Sequence, residues 1–98
     1  MTRTEHLLVV LMEECNEVSQ RAAKALRFGL SEVQPEQDAT NAQRLASEMA
    51  DLIGTWRLLA FEGRVDPISM FGDSPAKKAE KIEKYLKYSA ECGTLEGT

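Results

Sequence analysis

Leu11-Met12-Glu13-Glu14-Cys15-Asn16-Glu17-Val18 sets an acidic cluster inside an apolar helical pattern. Glu14 and Glu17 stand three residues apart, so on a helix both lie on one side, with apolar residues flanking them. Ala46-Ser47-Glu48-Met49-Ala50-Asp51-Leu52 repeats the arrangement, with Glu48 and Asp51 at the same spacing. Acids from two packed helices would form an oxygen-rich site suited to a hard cation such as Mg²⁺.

Working outward, the first stretch belongs to a helix expected from about Thr4 to Phe28, with Thr2 or Thr4 as cap. Gly29 suits a left-handed residue ending it. Ser31, Pro35 and a polar composition mark Leu30 to Asp38 as a loop. A second helix is expected to begin between Pro35 and Thr40 and to run to about Glu62, where Gly63 stops it. Arg64 to Asp73 reads as a connector containing Pro67 and Gly72, with Ile68, Met70 and Phe71 available to pack down. Asp73-Ser74-Pro75 signals a helix start, with Ser74 as cap and Pro75 in the first turn. This third helix should end near Ser89 or Ala90, and the tail 92–98 should fray. The fold class is therefore all-α, with three main helices in an antiparallel bundle and a single domain spanning 1–98.

A wheel at 100° per residue locates the faces. With Glu14 at zero, Leu7, Leu11, Val18, Ala22, Ala25, Leu8, Cys15 and Leu26 fall between roughly 20° and 120°, the expected core stripe. Glu14, Glu17, Arg21, Lys24 and Phe28 fall beside that stripe, between roughly 280° and 360°. The second helix has Leu45, Met49, Leu52, Trp56 and Leu59 as its stripe, with Arg44, Glu48, Asp51 and Thr55 alongside. Trp56 reads as core. Antiparallel packing through the two stripes would bring the acidic pairs together at one edge. Close carboxylates repel, and a cation or proton makes such a cluster tolerable. Glu80 and Glu83 share the spacing in the third helix but alternate with Lys78, Lys81, Lys84 and Lys87, as on a solvated face.

The chain has 98 residues and a formal charge of −4. A domain this small buries a modest core, and uncovered apolar surface on the long helices points to self-association into a four-helix core. The acidic balance argues against a general nucleic-acid binder. Cys15 and Cys92, with no signal-peptide pattern, fit a reduced cytoplasmic protein, and Cys15 reads as a small apolar residue. The longest apolar run, Leu7 to Met12, is too short to span a membrane.

The two acidic stretches resemble the paired ExxE and ExxD motifs of the all-α nucleoside triphosphate pyrophosphohydrolases, the MazG and dCTPase-like superfamily. The doubled Glu13-Glu14 opening and the linker length are similar to those of its small members, some from phages, and the resemblance covers about Leu7 to Tyr85. It implies that Glu14, Glu17, Glu48 and Asp51 bind Mg²⁺, with Mn²⁺ as a possible substitute, and that the metal grips the phosphates of an NTP. Glu13 points about 100° away from Glu14 on the wheel, and would support a ligand from behind, act as a base or be a solvated acid. The family's third helix carries basic residues and often an Asn. Here Lys77, Lys78, Lys81 and Tyr85 occupy that region, and no Asn follows Lys78 before the helix ends.

The resemblance implies conversion of a (d)NTP and water to a (d)NMP and pyrophosphate. The metal would neutralise phosphate charge and lower the pKa of a bound water, and a free carboxylate would orient or deprotonate that water. Lys78 and Lys81, then Lys24 and Arg21, are the expected phosphate contacts. Phe28 and His6 are candidates for the nucleobase slot. A homodimer or homotetramer is expected. The competing readings are a metal-dependent phosphohydrolase acting on another phosphorylated metabolite and a non-enzymatic helical interaction module. DNA binding is the weakest, since no recognition helix stands out.

Overall fold

In a computed structural model, described here for residues 1–71 and 74–96, the chain is all-helical, and the side chains of Met70, Phe71 and Ser74 are left out of the description. The elements are α1 (Arg3–Phe28), α2 (Asn41–Phe61), a 3-10 turn over Ile68–Phe71, and α3 (Ser74–Glu91). They fall into two compact units, Met1–Pro67 and Ile68–Thr98. Among the described residues there is no strand, only an isolated antiparallel bridge between Val33 and Thr40. No helix among them is long and apolar enough to cross a membrane.

Local chemistry fixes the helix ends. Thr2 caps α1 and Thr40 caps α2, each through a reciprocal capping box, with Glu5 and Gln43 as the answering side chains. Each box satisfies two backbone donors that a helix start otherwise leaves bare. At the other ends, Gly63 (φ 74°) donates to Ala60 O while Arg64 N donates to Leu59 O. Gly93 (φ 79°) and Thr94 repeat this with Ala90 O and Ser89 O. Both are Schellman closures, which need a residue that tolerates positive φ. These bonds close the end of α3 through Thr94. Asp73 and Gly72 lie outside the described residues, as do Gly97 and Thr98.

The first unit is a helical hairpin. At one end Arg3 Nε and Nη2 donate to the two carboxylate oxygens of Glu62 at 2.9 and 3.0 Å. At the other, Asn41, wholly buried, donates from Nδ2 to Gly29 O at 2.8 Å and to Glu32 Oε1 at 3.1 Å. The start of α1 thus meets the end of α2, and the two run in opposite directions. The loop is fastened to the start of α2: Asn41 N donates to Glu32 O and Ala42 N to Leu30 O, both at 2.9 Å. Arg44 Nη1 adds a 2.7 Å bond to Gln34 Oε1. Pro35 and Glu36 (φ 68°) turn the chain, and Gln37 N donates to Gln34 O.

The seam between α1 and α2 is rotated from the one expected. On α1 the residues removed from solvent include Thr4, Leu7, Leu11, Glu14, Val18, Arg21 and Ala25. On α2 they include Asn41, Leu45, Glu48, Leu52, Thr55, Leu59 and Glu62. Both rows step by alternating threes and fours, the spacing of two helices in lengthwise contact. Leu8, Cys15, Ala22 and Leu26, expected in the core, are exposed, as is Met49. Glu14 and Glu48 lie within the seam instead of beside it. Leu7 and Leu59 close one end and Ala25 and Asn41 the other, and among the described residues these four are the buried ones. Between them Glu14, Arg21, Glu48 and Thr55 alternate with Leu11, Val18, Leu45 and Leu52. Trp56, expected as core, is half-buried, its Nε1 donating to Asp66 O at 3.0 Å. Ile68, expected to pack down, is 51% exposed.

In the second unit α3 presents alternating Lys and Glu, and Ile82, Tyr85 and Leu86 are all exposed. Lys78, Lys81, Ile82, Tyr85, Leu86 and Ser89 line an open depression of about 290 Å³.

Candidate functional site

The polar centre of the seam is the candidate site. Glu14 and Glu17 come from adjacent turns of α1 and Glu48 from the facing turn of α2. Each offers a carboxylate oxygen, and these oxygens lie within 4.8 Å of one another. Glu14 and Glu48 are half-buried and Glu17 is exposed, so the cluster opens to solvent on the Glu17 side. Asp51 is exposed and stands outside this triple, though near enough to Glu48 for their charges to repel. Glu13 is exposed and is not among the grouped carboxylates.

Glu48 carries the electrostatic signature of crowding. Its carboxyl is held above the usual carboxylate range. The largest cause is a hydrogen bond with the Glu17 carboxyl, which a carboxyl pair can make only when one is protonated; burial comes next, then repulsion from Glu17 and Asp51. Arg21 pulls the other way. Like charges brought together in a partly desolvated place favour uptake of a proton or a cation.

Unpartnered atoms mark the same place. Glu14 Oε2 is buried with no hydrogen-bond donor, and Arg21 Nε and Nη1 are buried with no acceptor. Leaving such groups unsatisfied is unfavourable, more so when they are charged. The carboxylate oxygen calls for a cation or a donor, and the guanidinium for an anion or an acceptor. The donor set for a cation is oxygen only, which suits Mg²⁺, Ca²⁺ or Mn²⁺ better than a soft metal. On this chemistry the residues present fit a hard divalent ion.

The other expected site residues are spread more widely. Lys24 is half-buried one turn beyond Arg21 on α1. Phe28 ends that helix, 46% exposed, with the Arg27 guanidinium carbon 4.8 Å from its ring centroid. That stacking uses one face of the ring. His6 is exposed on the first turns of α1. Lys78 and Lys81 are exposed on α3, in the second unit. Sequence reading missed Asn41, whose amide ties the loop to α1. The Thr40-to-Gln43 capping pattern would have placed the start of α2 and drawn attention to it.

Comparison of this chain with protein-family models, with curated proteins and with solved structures gave no match.

Proposed function

We propose that the protein is a Mg²⁺-dependent nucleoside triphosphate pyrophosphohydrolase, converting a (d)NTP to a (d)NMP and pyrophosphate. What supports the reading is one observation: acids from both motif stretches, Glu14 and Glu17 on one helix and Glu48 on the other, converge within 4.8 Å. The resemblance of those stretches to the MazG and dCTPase-like superfamily gives that convergence its chemical interpretation. Glu14, Glu17, Glu48 and Asp51 would hold the ion, which when bound would offset phosphate charge and acidify a coordinated water. Arg21 and Lys24, on the same side of α1 as Glu17, would contact phosphate oxygens. Lys78 and Lys81 keep the same proposed role. Phe28 offers an aromatic edge for a base, and His6 remains a second candidate. The antiparallel bundle is completed, in this reading, by self-association to a homodimer or homotetramer acting on the cytoplasmic nucleotide pool.

The test is pyrophosphate release from a panel of dNTPs and NTPs, with Mg²⁺ and with EDTA, for wild type and Glu48→Ala. Release that needs Mg²⁺ and disappears in the variant supports the proposal. Orthophosphate as product would instead favour a phosphohydrolase of other specificity. A folded protein that releases nothing and whose melting is unmoved by nucleotide with Mg²⁺ would leave a helical interaction module.

A further inference from the structure

Arg21 lies in the seam row of α1, two turns after Glu14 and one turn after Glu17. On the wheel it stands within about 20° of Glu14. A helical side chain leans toward the N-terminus of its helix, which carries the Arg21 guanidinium back over the turns that bear the two acids. Its surroundings agree with that direction. Arg21 is half-buried, and its Nε and Nη1 are buried without an acceptor. Glu14 Oε2 is buried without a donor. Across the seam, Arg21 is the one cation whose charge draws Glu48 toward ionisation, against Glu17 and Asp51. A guanidinium keeps its charge at any working pH. The acidic cluster therefore has a fixed positive charge beside it whose own hydrogen bonds are unmade.

We propose that Arg21 is a resident counter-ion of the acidic cluster, so that the cluster binds a divalent cation weakly by itself and tightly together with a tetrahedral oxyanion. The reason is charge. A cation entering among Glu14, Glu17 and Glu48 takes up the carboxylate charge that now attracts Arg21. It also adds a like charge beside the guanidinium, in a partly desolvated seam where such repulsion is strong. An oxyanion removes the conflict. Its oxygens accept from the bare Nε–H and Nη1–H, and its charge lies between the guanidinium and the cation. A planar guanidinium is well shaped for that acceptor. The coupling is reciprocal, so the cation raises the affinity for the anion by the same factor. Without either ligand, Arg21 offsets part of the repulsion among the acids and lets the seam close on them. The inference rests on the reading of the cluster as a hard-cation site. It adds the residue that sets the affinity there and makes it depend on an anion.

The test is Mn²⁺ binding to the full chain, followed by the electron paramagnetic resonance signal of the free ion at neutral pH, without nucleotide. Wild type, Arg21→Met and Arg21→Lys are compared in sodium chloride and in sodium sulfate at matched ionic strength, which equalises screening. Sulfate supplies the tetrahedral oxyanion. Arg21→Met keeps an apolar stem in the seam and removes the charge; Arg21→Gln replaces it if that variant does not fold. In chloride Arg21→Met should bind Mn²⁺ about tenfold or more tightly than wild type, the scale on which one neighbouring charge alters ion uptake. Arg21→Lys, which keeps the charge, should stay near wild type. Sulfate should tighten binding to wild type and leave Arg21→Met unchanged. A purely structural role for Arg21 predicts the reverse, a variant that binds more weakly, and that result overturns the inference while the cation site stands. Equal affinities in chloride overturn it too. Sulfate tightening wild type and Arg21→Met alike removes Arg21 as the anion's partner and overturns the coupling. No Mn²⁺ bound by any folded form, in either salt, overturns both the inference and the reading it rests on.

Discussion

Replacing Glu48 by Gln should make the metal-free protein more stable, although it deletes a central residue of the candidate site. In the folded chain Glu48 is repelled by Glu17 and Asp51 and attracted by Arg21. Like-charged neighbours on helices cost about 0.2–0.5 kcal/mol each, and an attractive pair returns a similar amount. Two repulsions at the upper end less one attraction leave about 0.5 kcal/mol to be gained. For a domain of this size that is a rise in Tm of about 2–4 °C at neutral pH. The pH dependence has a definite sign. A carboxyl raised in the folded state binds its proton more tightly there than in the unfolded chain. The folded state is therefore penalised as pH rises from the ordinary Glu value through the raised one, and the penalty is complete above it. Glu48→Gln removes that descending limb. Thermal melts by circular dichroism from pH 4 to 8, with EDTA, would measure both effects. Repeating them in Mg²⁺ should reverse the order, because the ion stabilises the wild type and loses a ligand in the variant. A metal-free variant that melts below wild type at neutral pH, with an unchanged pH profile, would refute the view of this cluster as self-repelling.

Leu59→Ala should cost about 2–5 kcal/mol, since Leu59 is fully buried in a hairpin with few buried side chains; chemical denaturation of the full chain measures it. Asn41→Leu should cost about 1–3 kcal/mol by removing the amide that donates to Gly29 O and Glu32 Oε1, and faster amide exchange at Ala42 would show the loop loosening. Arg3→Gln should change little at neutral pH, because solvent-exposed ion pairs contribute little. The Arg3 hydrogen bond holds the Glu62 carboxyl below the usual range, so the pair's contribution is present above that range and lost as pH falls through the lowered value. Arg3→Gln should therefore flatten the acid side of the stability profile.

The helices were legible because their punctuation is local. Thr2, Gly29, Gly63 and the Ser74-Pro75 step each act within one turn of their own position, and the boundaries they mark lie within about two residues of those observed, whereas α2, expected to begin between Pro35 and Thr40, begins at Asn41. The close of α3 is just as local: positive φ at Gly93 lets Gly93 and Thr94 donate back to the last turn. Ile68 could not be placed from sequence, because an apolar residue in a connector says nothing about which surface, if any, receives it.

The position of the acids was half legible, and the error has a physical cause. Spacing put Glu14 with Glu17 and Glu48 with Asp51, but the wheel was centred on the apolar residues alone. That choice drew the expected stripe toward Cys15, Ala22 and Leu26, which are exposed in the hairpin. Each long helix carries two adjacent rows, and averaging them gives a direction that lies between both. The row that joins α1 to α2 is the more polar one, with Glu14, Arg21, Glu48 and Thr55 in its middle. A purely hydrophobic criterion would have joined the helices through the other row and left those groups in water. A seam containing unpartnered carboxylate and guanidinium atoms is a weak way to hold two helices together. The same division accounts for the otherwise separate facts that Leu59 is buried while Met49 and Leu26 are not.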